Sequence, residues 1–239
     1  MQLTPDSAVG YSMPILVKDS GRGNAANLHS AGKLKGGMTF NGDGSLCDIG
    51  QPFASGTVSI VMGSNCILKI GKQAIFDALI IRMGSGCTLE IGDNLGVNGK
   101  LTIHMFEPSA VSIGKQCLFG GNVSLATSDA HALFDIETGE RFNYAKDICI
   151  GRRVWVGADA TLLKGTEIGD FSMIGTHSVT SGKFPEFCVA AGNPAKIIRT
   201  GVSWCRRIQD YAPEDVMREI AELRGHRGMN AIAGMALDD

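Results

Sequence analysis

The chain has 239 residues, of which 32 are glycine and 44% are hydrophobic, with a formal net charge of -2. So small a charge gives no electrostatic case for nucleic acid or an anionic membrane surface. No stretch reaches the roughly 18 apolar residues of a membrane span, and residues 1–20, with Pro5, Asp6, Pro14 and Asp19, carry no basic segment leading into an apolar run, so no secretory signal is expected.

Residues 1–45 are rich in Gly, Asn and Ser and hold no firm period; they are expected to form an irregular N-terminal segment or a first coil. From there a loose repeat sets in, with Ile49-Gly50, Ile70-Gly71, Ile91-Gly92 and Ile113-Gly114. Between these, Phe76, Val97, Ile103, Phe119 and Leu125 keep a six-residue phase with a neighbouring match, and breaks near 62, 83 and 107 predict small corner insertions. Residues 127–147 interrupt the repeat with a polar insert that carries three Asp, two Glu, one His, one Arg and one Lys. An insertion on one face of a solenoid is where a site is often built.

The repeat is tightest after the insert. Ile150, Val156, Leu162, Ile168 and Ile174 each lie six residues after the last, and four positions on from each stands a small residue or Val: Val154, Ala160, Thr166, Ser172 and Ser178. This is the pattern of a coil with flat sides, in which each hexad supplies a short strand and a corner. The leading apolar residue and the small fifth residue point inward, glycine serves the tight turn, and stacked coils pair their backbones at about 4.8 Å. Residues 46–200 are therefore expected to form one repeat domain with 127–147 inserted. Over 201–239 the character changes: Pro213-Glu214-Asp215 opens a helix, Val216, Ile220 and Leu223 share one face, the helix ends near Gly225, and a tail follows.

The seven cysteines, Cys47, Cys66, Cys87, Cys117, Cys149, Cys188 and Cys205, are widely spaced and show no paired metal-ligand spacing. They read as reduced, small hydrophobic side chains of a cytoplasmic protein. Cys117, at an inward small position, and Cys149, directly before Ile150, read as core rather than as nucleophilic thiolates.

The segments Ile150-Gly-Arg-Arg-Val-Trp-Val-Gly, Leu163-Lys-Gly-Thr-Glu-Ile-Gly and Ala191-Gly-Asn-Pro-Ala-Lys resemble the hexapeptide-repeat acyltransferases. Together with Ser128-Asp129-Ala130-His131, Phe134-Asp135, Thr138-Gly139 and Ala145-Lys146-Asp147, they look most like the capsular and lipopolysaccharide O-acetyltransferases. The likeness is strong over about residues 127–204. It implies an all-β fold, a left-handed parallel β-helix with a loop insertion and a short C-terminal helix. It also implies a homotrimer whose active sites lie in clefts between neighbouring prisms, with acetyl-coenzyme A as acyl donor, a sugar or polysaccharide acceptor and no metal.

An O-acetyl transfer needs a base for the sugar hydroxyl and donors facing the developing oxyanion. Histidine is the natural base. Of His29, His104, His131, His177 and His226, His131 sits in the polar insert and matches the family's catalytic histidine. Asp129 or Asp135 is placed to orient its imidazole; loop capping is the other reading of either. Trp155, at the last position of its hexad, is expected to face outward, and the family has a tryptophan at the matching position beside the thioester. Gly157, Gly175, Thr176, Ser181, Lys196 and Arg199 are the further cofactor-binding candidates, the last two as phosphate contacts. Ser181-Gly182 stands where the family often has Thr-Lys, and the lysine has moved to Lys183. His177 occupies an outward position where the family has a small residue and reads as solvated, with lining of the cofactor cleft as the other reading.

An N-acetyltransferase of a nucleotide-linked amino sugar would share fold and donor, but residues 1–45 show no βαβ pattern for a nucleotide domain. A zinc hydratase would need three converging histidines. A non-catalytic scaffold would have no use for the Asp129/His131 pair.

Overall fold

The computed structural model describes residues 15–29, 34–50, 56–206 and 213–225. The chain winds into a parallel β-helix whose strands fall on three faces, with one short helix, Pro213–Gly225, near the C-terminus. An eight-stranded sheet makes the first face, and a 13-stranded sheet carries the second and third. The described residues fall into two compact units, divided after Ser203.

Each face buries stacked ladders of side chains, and one on each face carries the repeat. On the first, Ile49, Ile70, Ile91, Ile113, Ile150, Ile168 and Phe184 stack in register. On the second, Phe76, Val97, Phe119, Val156, Ile174 and Ala190 do so. On the third, Met38, Ile60, Ile81, Ile103, Leu125, Leu162 and Thr180 complete the core. The six-residue spacing in the sequence is thus one step from face to face. Val154, Ala160, Thr166, Ser172 and Ser178 are all fully buried, because the narrow interior admits only small groups between the large ladders.

The coils come in two sizes. After the insert, turns repeat at 18 residues, as in the Arg152–Asp170 contact, and the last at 16, as from Ile168 to Phe184. Before it, the turns repeat at 21 or 22, as in the contacts of Asp43 with Ser64 and of Lys69 with Glu90. The additional residues lengthen the third face. Gly56–Met62 runs seven residues there, and Ile75–Met83 runs nine from the second face into the third, where Thr161–Leu163 and Val179–Thr180 run three and two. The first four strands belong to the same stack: Ala25–Leu28 pairs with Leu46–Ile49, and Ile15–Asp19 with Leu34–Phe40.

The last strand, Ala195–Thr200, turns back antiparallel on Cys188–Gly192. Within the helix, Ile220 is buried and Met217 exposed; the side chain of Leu223 and the expected tail over 226–239 lie outside the described residues. One cysteine reading is corrected. Cys149 is exposed, because in Ile148–Ile150 it alternates with two buried isoleucines and faces outward. Cys117 is buried as expected.

Candidate active site

The insert leaves the solenoid at the corner between third and first faces, between Val123–Ala126 and Ile148–Ile150. Its neck is closed by the Lys146 N–H, which donates to the Thr127 carbonyl at 3.0 Å, and by a 2.8 Å hydroxyl bond between Ser109 and Thr127. Further out it doubles back as a hairpin, with a bridge between Phe134 and Arg141. Asp135 spends its carboxylate on that hairpin's turn, accepting the Glu137 and Thr138 N–H groups at 2.9 and 2.8 Å. Those two bonds hold its pKa below the ordinary carboxylate value. The loop-capping reading thus describes Asp135. The insert is less polar outside than its charges suggest, since Leu133, Phe134, Ile136, Phe142 and Tyr144 are all exposed.

Asp129 and His131 lie together at the base of the insert, on either side of Ala130, whose φ of 61° is left-handed. His131 is exposed. Asp129 accepts from Lys164 Nζ at 2.5 Å and from Asn143 Nδ2 at 2.7 Å, and these two donors hold its carboxyl below the usual range. Asn143 is buried, and its amide also donates to the His131 carbonyl at 2.8 Å. Arg141 pairs with Glu107 on the solenoid at 2.7 Å, lies over the Tyr144 ring and donates to Asn143. Lys164, Asn143, Arg141 and Glu107 were not among the residues chosen from sequence. Lys164 stands inside the Leu163-Lys-Gly segment, which was a signal for it; a single Asn in a polar loop gives none.

Trp155 is on the second face and 42% exposed. It stacks in register with Leu118 and Met173; beyond these come Val189 and, on the returning strand, Arg199. This row is apolar for four steps and ends in a cation. Lys196 and Arg199 are both exposed. Gly157 and Gly175 form the adjoining corner, where coil stacking itself demands glycine: a Cβ on Gly157 would lie 2.5 Å from the Thr176 nitrogen and 2.8 Å from the Gly175 carbonyl carbon. Thr176 is exposed beside them, and the outward His177 lies 3.9 Å from Asp159. Ser181 is at the other corner, lining a cleft of about 580 Å³ with Lys146, Asp147, Cys149, Lys164 and Glu167. Lys183 pairs instead with Glu167 at 3.1 Å. A larger open groove, of about 750 Å³, runs along the first face and contains none of the candidates.

One chain therefore presents the candidates on two sides. His131, Asp129 and Ser181 are at the third-to-first corner; Trp155, Gly157, Gly175 and Thr176 are on the second face and its edge. Among the described residues, no three His, Cys, Asp or Glu side chains gather as a metal-ligand set.

No family model matches the chain. Over 96 residues, 40% of its length, it is 40% identical to a polysialic acid O-acetyltransferase of Escherichia coli O1:K1, covering 31% of that protein. It is 36% identical over 112 residues, 46% of its length, to the polysialic acid O-acetyltransferase of Neisseria meningitidis, covering 51% of it. Solved structures extend the match to nearly the whole fold. The polySia-specific acetyltransferase NeuO superposes with a TM-score of 0.71 at 27% identity, over 89% of this chain and 99% of that one. The chain is similar to the polysialic acid O-acetyltransferases. The polysialic acid O-acetyltransferase OatWY gives 0.65 at 28% identity over 85% and 99% of the two chains. Against the curated relatives the matched share is smaller, about a third and a half of their lengths. The hexapeptide repeat and the β-helix expected from sequence are those of these relatives.

Proposed function

We propose that this chain is an acetyl-coenzyme A-dependent O-acetyltransferase that acts on a hydroxyl of a capsule or lipopolysaccharide sugar. The observation that carries the reading is the fold-wide match to polysialic acid acetyltransferases, with His131 and Asp129 at the base of the insert. The second-face row suits the donor: Trp155, Met173 and Val189 offer an apolar track for an extended pantetheine arm, and Arg199, with Lys196, offers charge for phosphates. Gly157, Gly175 and Thr176 form the wall beside that track, and Ser181 a hydroxyl at the opposite corner.

In this reading His131 takes the proton of the acceptor hydroxyl as its oxygen attacks the thioester carbon. The carbon–sulfur bond then breaks, and His131 returns the proton to the leaving sulfur. Transfer is direct, in a ternary complex. Asp129, kept ionised by Lys164 and Asn143, favours the imidazolium formed in between. Because one chain presents His131 and Trp155 on different sides, the complete site is assembled between chains, as a homotrimer, with the exposed apolar side chains of the insert covered by a neighbour. We place the protein in the cytoplasm, where acetyl-coenzyme A is available; no described helix is long and apolar enough to cross a membrane.

The test is thiol release from acetyl-coenzyme A against a panel of bacterial capsule and lipopolysaccharide sugars, with product analysis. Acceptor-dependent release with an alkali-labile ester is expected. An alkali-stable amide would replace this reading with the N-acetyltransferase, and no release with any sugar would overturn it.

A further inference from the structure

Asn143 is an amide with every hydrogen-bonding position in use. Its Nδ2 donates to Asp129 Oδ2 at 2.7 Å and to the His131 carbonyl at 2.8 Å. Its Oδ1 accepts the Leu133 N–H at 2.7 Å and Arg141 Nε at 3.3 Å. Its own carbonyl accepts Lys164 Nζ at 3.1 Å. The side chain is buried at 6% exposure inside a loop that is otherwise largely exposed.

The two bonds donated by Nδ2 bracket the three residues from Asp129 to His131. Between them Ala130 holds a left-handed conformation that an alanine adopts only when its surroundings impose it. One amide grips the carboxylate before Ala130 and the carbonyl after it, so the strained turn is clamped from both ends. Lys164, rooted on the solenoid wall, reaches the same carboxylate and the Asn143 carbonyl. The turn that carries His131 is thereby referenced to the rigid coil rather than to the mobile sort of contact a surface loop usually makes.

We propose that Asn143 is a positioning residue for the acetyl transfer: its side-chain amide fixes the His131 backbone and the Asp129 carboxylate in one arrangement against Lys164. The proposal rests on the reading of His131 as the base. A purely structural asparagine would support the stability of the fold; a positioning one sets the geometry of a turn that the solenoid does not need.

The test uses Asn143→Asp, which is isosteric. It keeps the oxygen that accepts from Leu133 and Arg141 but puts an acceptor where Asp129 and the His131 carbonyl need a donor. Three quantities are measured on the full chain: kcat and KM with acetyl-coenzyme A and polysialic acid as probe acceptor, the thermal midpoint, and hydrogen–deuterium exchange by segment. The expected result is a fall in kcat of about thirtyfold or more, with KM for acetyl-coenzyme A within about twofold. Exchange should quicken over 129–133 and stay native over the strands from 148 to 192. Native-like kcat overturns the proposal, as does loss of protection throughout the solenoid, which would mark a structural role. If the native chain does not turn over polysialic acid, the exchange pattern decides: unchanged protection over 129–133 overturns the proposal, and loss confined there supports it. Should Asn143→Asp fail to fold, Asn143→Ser, with one donor on a shorter arm, takes its place under the same criteria. His131→Ala separates the two readings. Native-like turnover in that variant removes His131 as base and the proposal with it, whereas loss there beside native-like turnover in Asn143→Asp overturns the proposal alone.

Discussion

Gly157 can be tested as a stacking residue independently of any role near the donor. Its N–H donates to the Ile174 carbonyl at 2.7 Å, and an added Cβ would meet backbone atoms of the next coil at 2.5, 2.8 and 2.9 Å. Backbone cannot swing aside as a flexible side chain can, so the two coils must part by several tenths of an ångström along a ladder of 2.7 to 2.9 Å hydrogen bonds. Overpacking of this kind costs about 1–3 kcal/mol, and for a chain of this size each kcal/mol lowers the thermal midpoint by roughly 2–4 °C. Gly157→Ala is therefore expected to melt several degrees below the native chain. Gly37→Ala is the control. It is also a glycine in a strand of this solenoid, but its nearest atom to an added Cβ is the Leu16 carbonyl oxygen at 3.7 Å. Relief of backbone entropy should leave it neutral or slightly stabilised. Thermal unfolding followed by circular dichroism compares the three proteins. Equal midpoints for Gly157→Ala and Gly37→Ala would refute the reasoning that coil stacking dictates the glycine corner.

Four further outcomes follow from the same geometry. Leu162→Ala, at a fully buried rung of the third face, should cost about 2–5 kcal/mol in urea unfolding; a loss under 1 kcal/mol would contradict the stacked core. Trp155→Ala should raise KM for acetyl-coenzyme A severalfold with little change in midpoint, because the ring is 42% exposed; an unchanged KM would remove it from the donor track. Asp129 has a folded pKa lowered from 3.8, chiefly by Lys164, so its paired carboxylate stabilises the fold above that value and ceases to do so as pH falls through the lower folded one. The midpoint difference between native chain and Asp129→Asn should therefore be present at neutral pH and vanish in acid, and a difference that grows in acid would reverse the assignment. Cys149, outward on the first face, should react with a thiol reagent in the folded chain, whereas Cys47, Cys66, Cys87, Cys117 and Cys188 should require unfolding; a folded chain with no reactive thiol would contradict its outward placement.

What the sequence discloses of this molecule depends on whether a residue takes part in a period. Ile150, Val156, Leu162, Ile168 and Ile174 are legible because consecutive faces demand a large inward side chain at each step. The stretch before residue 46 is not, although Met38 and Phe40 are fully buried rungs of the same core, because a lengthened third face stretches the coil and dissolves the six-residue phase. Proximity to Ile150 suggests a core position for Cys149, yet it is exposed. In a strand the neighbour of an inward residue faces out, and that rule alone corrects it. Trp155 follows the rule and is outward as expected. The insert is legible as an interruption, and His131 through its resemblance, but nothing periodic marks Asn143 or Lys164. Their importance comes from bonds across 14 and 35 residues of chain to Asp129, and such closures exist only once the loop has folded back on its coil.

We propose above that His131, held at the root of the insert, is the base of the acetyl transfer. Its most direct test is single-turnover thiol release from acetyl-coenzyme A by the native chain and by His131→Ala, with donor binding measured alongside. The variant is expected to bind acetyl-coenzyme A within about threefold of the native chain and to release thiol at least about a hundredfold more slowly. A variant that binds the donor and transfers at the native rate would contradict it.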